Sequence, residues 1–399
     1  MRISTQTFYG NALSAMLDQQ AVLSRTQTQV ATGKRVNTPA DDPIAAVHIL
    51  ELERAQSASD QYAKNAELGR SRLTLEEQAL ADSTSVLQRV RELTLQASNT
   101  ATLSDSDRQS VAIELSGRLQ ELKDIANRKD GQGDYLFSGY ATLTQPFSVS
   151  GSGSIVYSGD QGNRLLQVSA SQRVVDGHSG FDVFMNVPEG NGTFVTDATS
   201  TNTGSGIINA GSVANGGAWV PGDYTLSFTT ASTWEVRDAA SALVASGTYS
   251  AGTAIAFNGI QVTVSGAPAA GDTFSIDRSG KEDLFATLDS LITALGQSAT
   301  TAAGRAQLST SLDGSLQQID QGMDHLLGIR AEVGSRLSLL DGAESTREDL
   351  KVEIAGSLAD LRDLDYAEAL MRMNQQLVGL QAAQQSYIKI AGLSLFNYL

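Results

Sequence analysis

The chain has 399 residues, no cysteine, three histidines, and 28 Lys and Arg against 44 Asp and Glu, for a formal net charge of −16. The missing cysteines exclude disulfide scaffolds, thiolate metal sites and cysteine nucleophiles, and His48, His178 and His325 are too scattered in sequence to suggest a multi-histidine metal site. The strong negative charge argues against a nucleic-acid phosphate backbone as the main partner.

Composition shifts along the chain. Of the 37 glycines, 23 fall within 131–280, together with most of the aromatic residues and only four Lys or Arg. Charged, glycine-poor flanks read as helix, and the centre reads as short strands and turns. The expected fold class is α+β: a long antiparallel helical bundle or coiled coil formed by the N- and C-terminal segments, with an inserted all-β domain.

The opening MRISTQTFYGNALSAMLDQQ has one early Arg and no apolar stretch of signal type, so no cleaved secretory signal is expected. No run of 18 apolar residues suggests a membrane span. From about residue 5 to Thr32 proline is absent and helix formers dominate, with a thin apolar seam at Met16, Leu23 and Val30. Gly33 then supplies a C-terminal stop. After the short loop holding Asn37 and Asp41, Asp42 and Pro43 restart the helix. An aspartate caps the free N–H groups there, and proline at the first helical position has no N–H to leave orphaned. A cation site at Asp41 and Asp42 is the weaker reading. A helix predicted from Pro43 to about Ser98 would be about 80 Å long at 1.5 Å per residue. Ser104 and Asp107 resemble a capping box for a third helix, running to about Lys129.

The centre offers candidate strands at Ser154–Tyr157, Leu165–Val168, Phe181–Met185, Tyr224–Thr229, Thr233–Arg237, Ile260–Ser265 and Thr273–Asp277, several with period-two alternation. Asn258-Gly259 is a hairpin turn signal between 255–257 and 260–265. Residues 199–218, rich in Gly, Ser, Asn and Thr, read as a loop or excursion.

On the back flank, Ser279-x-x-Glu282 reads as the opening of a helix whose face carries Leu284, Leu288, Leu291, Ile292 and Leu295. A 4-3 alternation then runs through Leu312, Leu316, Ile319, Met323, Leu326, Arg330, Val333, Leu337 and Leu340, a coiled-coil signature broken only by Arg330. A second seam of different phase holds Tyr366, Leu370, Met373, Leu377, Leu380, Gln384, Tyr387 and Ala391. The phase change places a joint at 363–365, with Asp365 as cap of the new helix. Paired only with each other, the two ends form a narrow interface. Ordering roughly 65 residues costs on the order of 65–130 kcal/mol of backbone entropy, so the ends are expected to be disordered in the monomer and to fold on assembly.

Motifs of catalysis and cofactor binding are missing. There is no GxxxxGK[ST], HExxH or G-x-S-x-G, and Gly151-Ser-Gly153 and Gly204-Ser-Gly206 lack the third glycine of a dinucleotide loop. Asn191-Gly-Thr193 fits a glycosylation acceptor, a weak pattern. The reading expects no enzyme, no cofactor and no metal.

Three stretches carry a family resemblance. Thr32-Gly-Lys-Arg-Val-Asn-Thr-Pro-Ala-Asp-Asp-Pro43 is similar to the loop after the first helix in the bacterial flagellin superfamily. Asp134-Tyr-Leu-Phe-Ser-Gly139 with Pro146-Phe147 resembles that family's exit from the helical domain. The tail LQAAQQSYIKIAGLSLFNYL is more similar to the hook-associated branch than to filament subunits, and Pro221-Gly-Asp-Tyr-Thr-Leu and Gly271-Asp-Thr-Phe274 resemble the β repeats of hook-associated proteins.

The resemblance implies a structural axial protein of the flagellum, an adaptor at the hook–filament junction on which flagellin polymerises. It also implies export without a cleaved signal and an extracellular place in the flagellum. The implied partners are other copies of the chain, the inner hook–filament junction protein, flagellin, and a cytoplasmic export chaperone at the C-terminal region, with no nucleic acid and no membrane. The alternatives are a filament flagellin, or an extracellular β-module binding protein on a helical stalk. The expected division is 1–42 with 365–399 as terminal coiled coil, 43–145 with 280–364 as helical rod domain, and 146–279 as outer β domain. Assembly is assigned to Met16, Leu23, Val30, Leu370, Met373, Leu377, Leu380, Tyr387, Leu395 and Phe396. The cap and loop motif is Gly33, Asn37, Asp41, Asp42 and Pro43.

Overall fold

Free of proline, the first stretch forms helix α1 (Thr5–Thr32). It is followed by α2 (Pro43–Ser98), α3 (Asp105–Ala126), α4 (Leu284–Gly296), α5 (Ala302–Arg362) and α6 (Tyr366–Gly392). The computed structural model describes residues 5–98, 104–151, 153–297 and 299–392. These pack as two compact units, 1–64 with 343–399, and 65–342.

In the first unit α1 runs along α6. A small core of Val36, Ala45, Ile49, Ile354 and Leu358 joins the loop after α1 to the start of α2 and the end of α5. The joint between α5 and α6 falls where the seam changes phase. Asp365 Oδ1 accepts the N–H groups of Ala367 and Glu368, at 2.9 and 3.1 Å, which satisfies donors that the first turn of α6 would otherwise leave free.

In the second unit the heptad pattern of α5 becomes burial. Leu312, Ile319, Leu326, Val333 and Leu340, each seven residues after the last, are fully buried. Leu73, Leu80 and Leu87 on α2 and Leu115 and Leu122 on α3 are fully buried too, with α3 packed along α4. Arg330 interrupts the seam without leaving a bare charge, because its guanidinium reaches Glu77 of α2 at 2.7 and 2.9 Å. Ser104 and Asp107 close a reciprocal capping box on α3. That helix ends at Ala126, three residues before the expected Lys129, with Asn127 as its C-cap and the Asn127 side chain held by the backbone of Phe147.

Fifteen short strands lie between α3 and α4 among the described residues: β1 (Phe147–Val149), β2 (Ile155–Tyr157), β3 (Leu165–Gln167), β4 (Arg173–Val175), β5 (Val187–Pro188), β6 (Phe194–Ala198), β7 (Ile207–Ile208), β8 (Ser212–Val213), β9 (Tyr224–Thr230), β10 (Thr233–Asp238), β11 (Leu243–Thr248), β12 (Ala254–Phe257), β13 (Ile260–Ser265), β14 (Thr273–Arg278) and β15 (Lys281–Glu282). An antiparallel sheet in the order β11-β10-β9-β14-β6 shares one core with a smaller sheet, β12-β13-β7, to which β8 adds through β13. Alternation decides which side chains enter that core. Tyr224, Leu226 and Phe228 point in from β9, and Ile260, Val262 and Val264 from β13. The β12–β13 hairpin turns at Asn258 and Gly259, with φ of 43° and 80°, the left-handed pair that a two-residue turn requires.

Three sequence expectations are corrected. Phe181–Met185 is one π-helical turn, not a strand. Five residues, apolar but for Asp182, are too few to show a period that distinguishes the two. Ser179 starts the turn by accepting the Asp182 N–H on its hydroxyl and the Val183 N–H on its carbonyl. Val183 and Phe184 are thereby buried, with the Phe184 ring 5.3 to 5.8 Å from those of Phe137, Phe147 and Phe285. Ser279 and Glu282 do not form a capping box. Lys281 and Glu282 pair with β5, and Asp283 caps α4 by accepting the Ala286 N–H at 2.5 Å. Residues 199–218 are not a plain loop. They carry β7, β8 and a short 3-10 turn, Gly216–Ala218. The buried Asp272 carboxylate fixes their start by accepting the N–H groups of Thr203 and Gly204.

Candidate assembly surfaces

The register of α1 against α6 follows from three contacts. The Tyr9 and Tyr387 rings meet edge to face with centroids 6.1 Å apart. A Cβ on Gly379 would lie 2.9 Å from the side-chain nitrogen of Gln19. At the closed end, a Cβ on Gly33 would lie 2.7 Å from the Tyr366 hydroxyl. In this antiparallel register Met16 stands at the level of Leu380, Leu23 between Met373 and Leu377, and Val30 toward Leu370. Leu23 is buried, and Met16, Val30, Met373, Leu377, Leu380 and Tyr387 are half-buried. Leu370 is exposed. Leu395 and Phe396 lie outside the described residues. The heptad seams therefore meet each other within the chain.

A second set of apolar side chains on the same helices faces outward. On α1 these are Leu13, Leu17 and Val22; on α6 they are Met371, Val378 and Ile388, all three about two-thirds exposed. Sequence reasoning passed over them. The available signal is a stripe flanking each seam: Met371 and Val378 follow Leu370 and Leu377 by one residue, and Leu13 and Leu17 are one turn apart.

The loop after α1 brings its motif residues together. Gly33 takes φ +68°, and its N–H closes on the Gln29 carbonyl. Its own carbonyl accepts the Leu364 N–H, while the Arg35 N–H donates to the Arg362 carbonyl, so the loop is stitched to the α5–α6 joint. Asn37 donates its side-chain amide to the Lys34 carbonyl. The Asp41 carboxylate accepts the Thr38 N–H and hydroxyl and the Asn37 N–H, and Arg25 lies 3.5 Å away. These donors, the Thr38 N–H first, hold the Asp41 carboxyl below its ordinary value. Asp42 accepts the Ala45 N–H at 3.0 Å just ahead of Pro43, and that N–H, then Arg35, lowers its carboxyl in turn. The carboxylates of this loop are thus occupied by its own donors.

The remaining candidates are accounted for locally. His48 is exposed on α2, 3.5 Å from Glu51. Asn191 uses its side chain to shape the turn before β6, accepting the N–H groups of Thr193 and Phe194 and donating to the Ala210 carbonyl. A cleft of ≈ 330 Å³ between the larger sheet and helices α4 and α5 is lined by Glu189, Asp197, Asp277, Glu282, Thr310 and Gln318, with no basic side chain among the described lining residues. Burial, then the charges of Glu189 and Asp283, pushes the Glu282 carboxyl up to about 7. Among the described residues no group of three His, Asp or Glu is placed to hold a metal ion, and no helix is long and apolar enough to cross a membrane.

The family model for the bacterial flagellin N-terminal helical region matches residues 3–142, and that for the D2-like domain of flagellar hook-associated protein 1 matches residues 197–278. The chain is 28% identical to flagellar hook-associated protein 3 of Escherichia coli over 398 residues, covering 100% of this chain and 99% of the relative. The crystal structure of flagellar hook-associated protein 3 from Legionella pneumophila is 36% identical, with a TM-score of 0.76 over 78% of this chain and 98% of that one. The chain belongs to the flagellar hook-associated protein 3 family of the flagellin superfamily. FlgL of Xanthomonas campestris, also 36% identical, gives a TM-score of 0.72 over 77% of this chain and 99% of that one. Membership in the hook-associated protein 3 family makes this a structural component of the flagellum. It also fits the chain order, since the flagellin match runs through α1, α2 and α3 and the D2-like match covers the sheets from β6 to β14.

Proposed function

We propose that this hook-associated protein 3 family member is the adaptor at the hook–filament junction on which flagellin polymerises, and that it acts by packing rather than by catalysis. The observation that carries this reading is the terminal hairpin, whose inner seam is consumed within the chain while Leu13, Leu17, Val22, Met371, Val378 and Ile388 remain outward. Exposed apolar stripes of this kind mark surfaces for protein–protein contact, which stacked subunits would cover. A solved relative from Legionella pneumophila, 35% identical, is described as the flagellar junction protein FlgL, which supports the same place in the structure.

In this reading the ends, 1–42 and 365–399, form the inner coiled coil. Residues 43–145 with 280–364 form the helical wall, and 146–279 faces solvent. The partners are other copies of the chain, the inner hook–filament junction protein on one side and flagellin on the other. A cytoplasmic chaperone binds the C-terminal region before export, which proceeds without a cleaved signal. The match of 197–278 to a hook-associated D2-like domain favours the junction over a filament flagellin. Deleting the gene tests the proposal: cells should carry bare hooks and shed flagellin monomers into the medium. Filaments of normal length on such cells would refute it.

A further inference from the structure

Two of the three histidines of the chain grip one short segment. His325 of α5 places Nε2 2.7 Å from the Asp182 carbonyl oxygen. His178 belongs to the same segment and reaches out to two carboxylates at once. Its Nδ1 is 2.6 Å from Glu76 Oε1 on α2, and its Nε2 is 3.1 Å from Glu332 Oε2 on α5. The His178 backbone N–H also donates to Glu76 Oε1, at 3.1 Å. Glu76 is 2% exposed and the His178 side chain 9%, while Glu332 reaches solvent.

The chemistry of the ring decides what this geometry requires. An ionised carboxylate only accepts, and a neutral imidazole has one N–H and one lone pair. A neutral ring would satisfy one glutamate and turn its lone pair on the other. Only the imidazolium, with an N–H on each nitrogen, satisfies both. We propose that His178 is a proton-operated clasp, which ties the 176–184 segment to α2 and α5 while doubly protonated and releases one helix when it loses a proton.

The charges around the ring fit that role. From α2 it faces Glu76, with Arg72 one turn earlier; Arg72 in turn pairs with Asp130 and Asp176. From α5 it faces Glu332 and Arg336, which are themselves 3.3 Å apart. On its own segment Asp176 is shared by Arg72 and Arg164, and Asp182 accepts the Ser179 hydroxyl. Burial works against the charged ring, but the hydrogen bond and charge of Glu76, helped by Glu332, outweigh it and Arg336, so His178 titrates above its ordinary 6.5. A histidine raised in the folded state stabilises fully below 6.5 and loses that contribution as pH rises through the raised value. The clasp is therefore closed on the acid side and opens on the alkaline side.

The test is an NMR titration of the full chain with ¹⁵N-labelled histidine, read beside hydrogen exchange of amides 176–184 corrected for intrinsic rates. At pH 6 both His178 ring nitrogens should carry protons, and protection of the segment should fall by about tenfold as the ring titrates. Glu332→Gln removes the exposed partner without touching the core. It should move the titration to lower pH and shrink the pH-linked loss of protection. His325→Gln should leave the His178 titration where it is. A ring already neutral at pH 6, a Glu332→Gln titration identical to the parent's, or protection unchanged across the titration would overturn the proposal.

Discussion

Tyr366 closes over Gly33: a Cβ built on the glycine would come within 2.7 Å of the tyrosine hydroxyl oxygen, and the glycine itself has φ +68°. Both facts act on Gly33→Ala. The left-handed backbone costs an L-residue about 1–2 kcal/mol, and the methyl group must also displace the Tyr366 ring. Chemical denaturation of the purified protein should show the first unit losing about 2–3 kcal/mol. Adding Tyr366→Ala should recover the part due to the clash and leave the part due to φ. Full recovery in the double variant would show that the backbone carries no strain.

The buried row of α5 gives an internal comparison. Ile319 is fully buried and Leu327 is half exposed. Ile319→Ala should cost about 2–5 kcal/mol by creating a cavity, while Leu327→Ala should stay within about 0.5 kcal/mol of the parent. Similar losses at the two positions would mean that the seam does not hold the second unit together.

Glu282 predicts a pH dependence of opposite origin to that of His178. Its carboxyl is raised from 4.5 to about 7 in the folded chain, so the native state holds this proton more tightly than the unfolded chain does. Stability is therefore lost as pH rises from about 4.5 to about 7. Glu282→Gln should be the more stable form at pH 8, by about 1 kcal/mol once solvent screening at this partly exposed site is allowed for. The two forms should coincide at pH 4. Urea midpoints that differ equally at both pH values would remove the titration from the explanation.

The helices were legible wherever a residue type has one mechanical use. Gly33, Asp42 with Pro43, and Ser104 with Asp107 mark ends through φ or through capping, and the structure places helix ends beside each of them. The break before Tyr366 was legible because a heptad seam cannot change phase inside one straight helix. The centre was harder to read. Phe181–Met185 has no period, β6 follows a turn whose asparagine looked like a glycan acceptor, and β11, Leu243–Thr248, alternates weakly at a sheet edge.

Of the surfaces, the seams and their antiparallel partner could be read, but the outward stripes could not. Periodicity shows that Leu23 and Leu377 want apolar company; Leu17 and Val378 lie beside the seams and belong to no heptad. The His178 contacts left no trace in the sequence, since Glu76 and Glu332 lie 102 and 154 residues away.

The central claim is that the outward stripes of the terminal hairpin are what the junction packs against. Cells lacking the gene, complemented with the parent chain or with the Leu17→Asp, Val378→Asp double variant, test it through the flagellin found in the medium. Both substituted residues are more than half exposed, so the purified variant should unfold at the same urea midpoint as the parent. The parent should restore filaments, and the variant should leave hooks bare and flagellin in the medium. Filaments of normal length on cells carrying the variant would contradict the account.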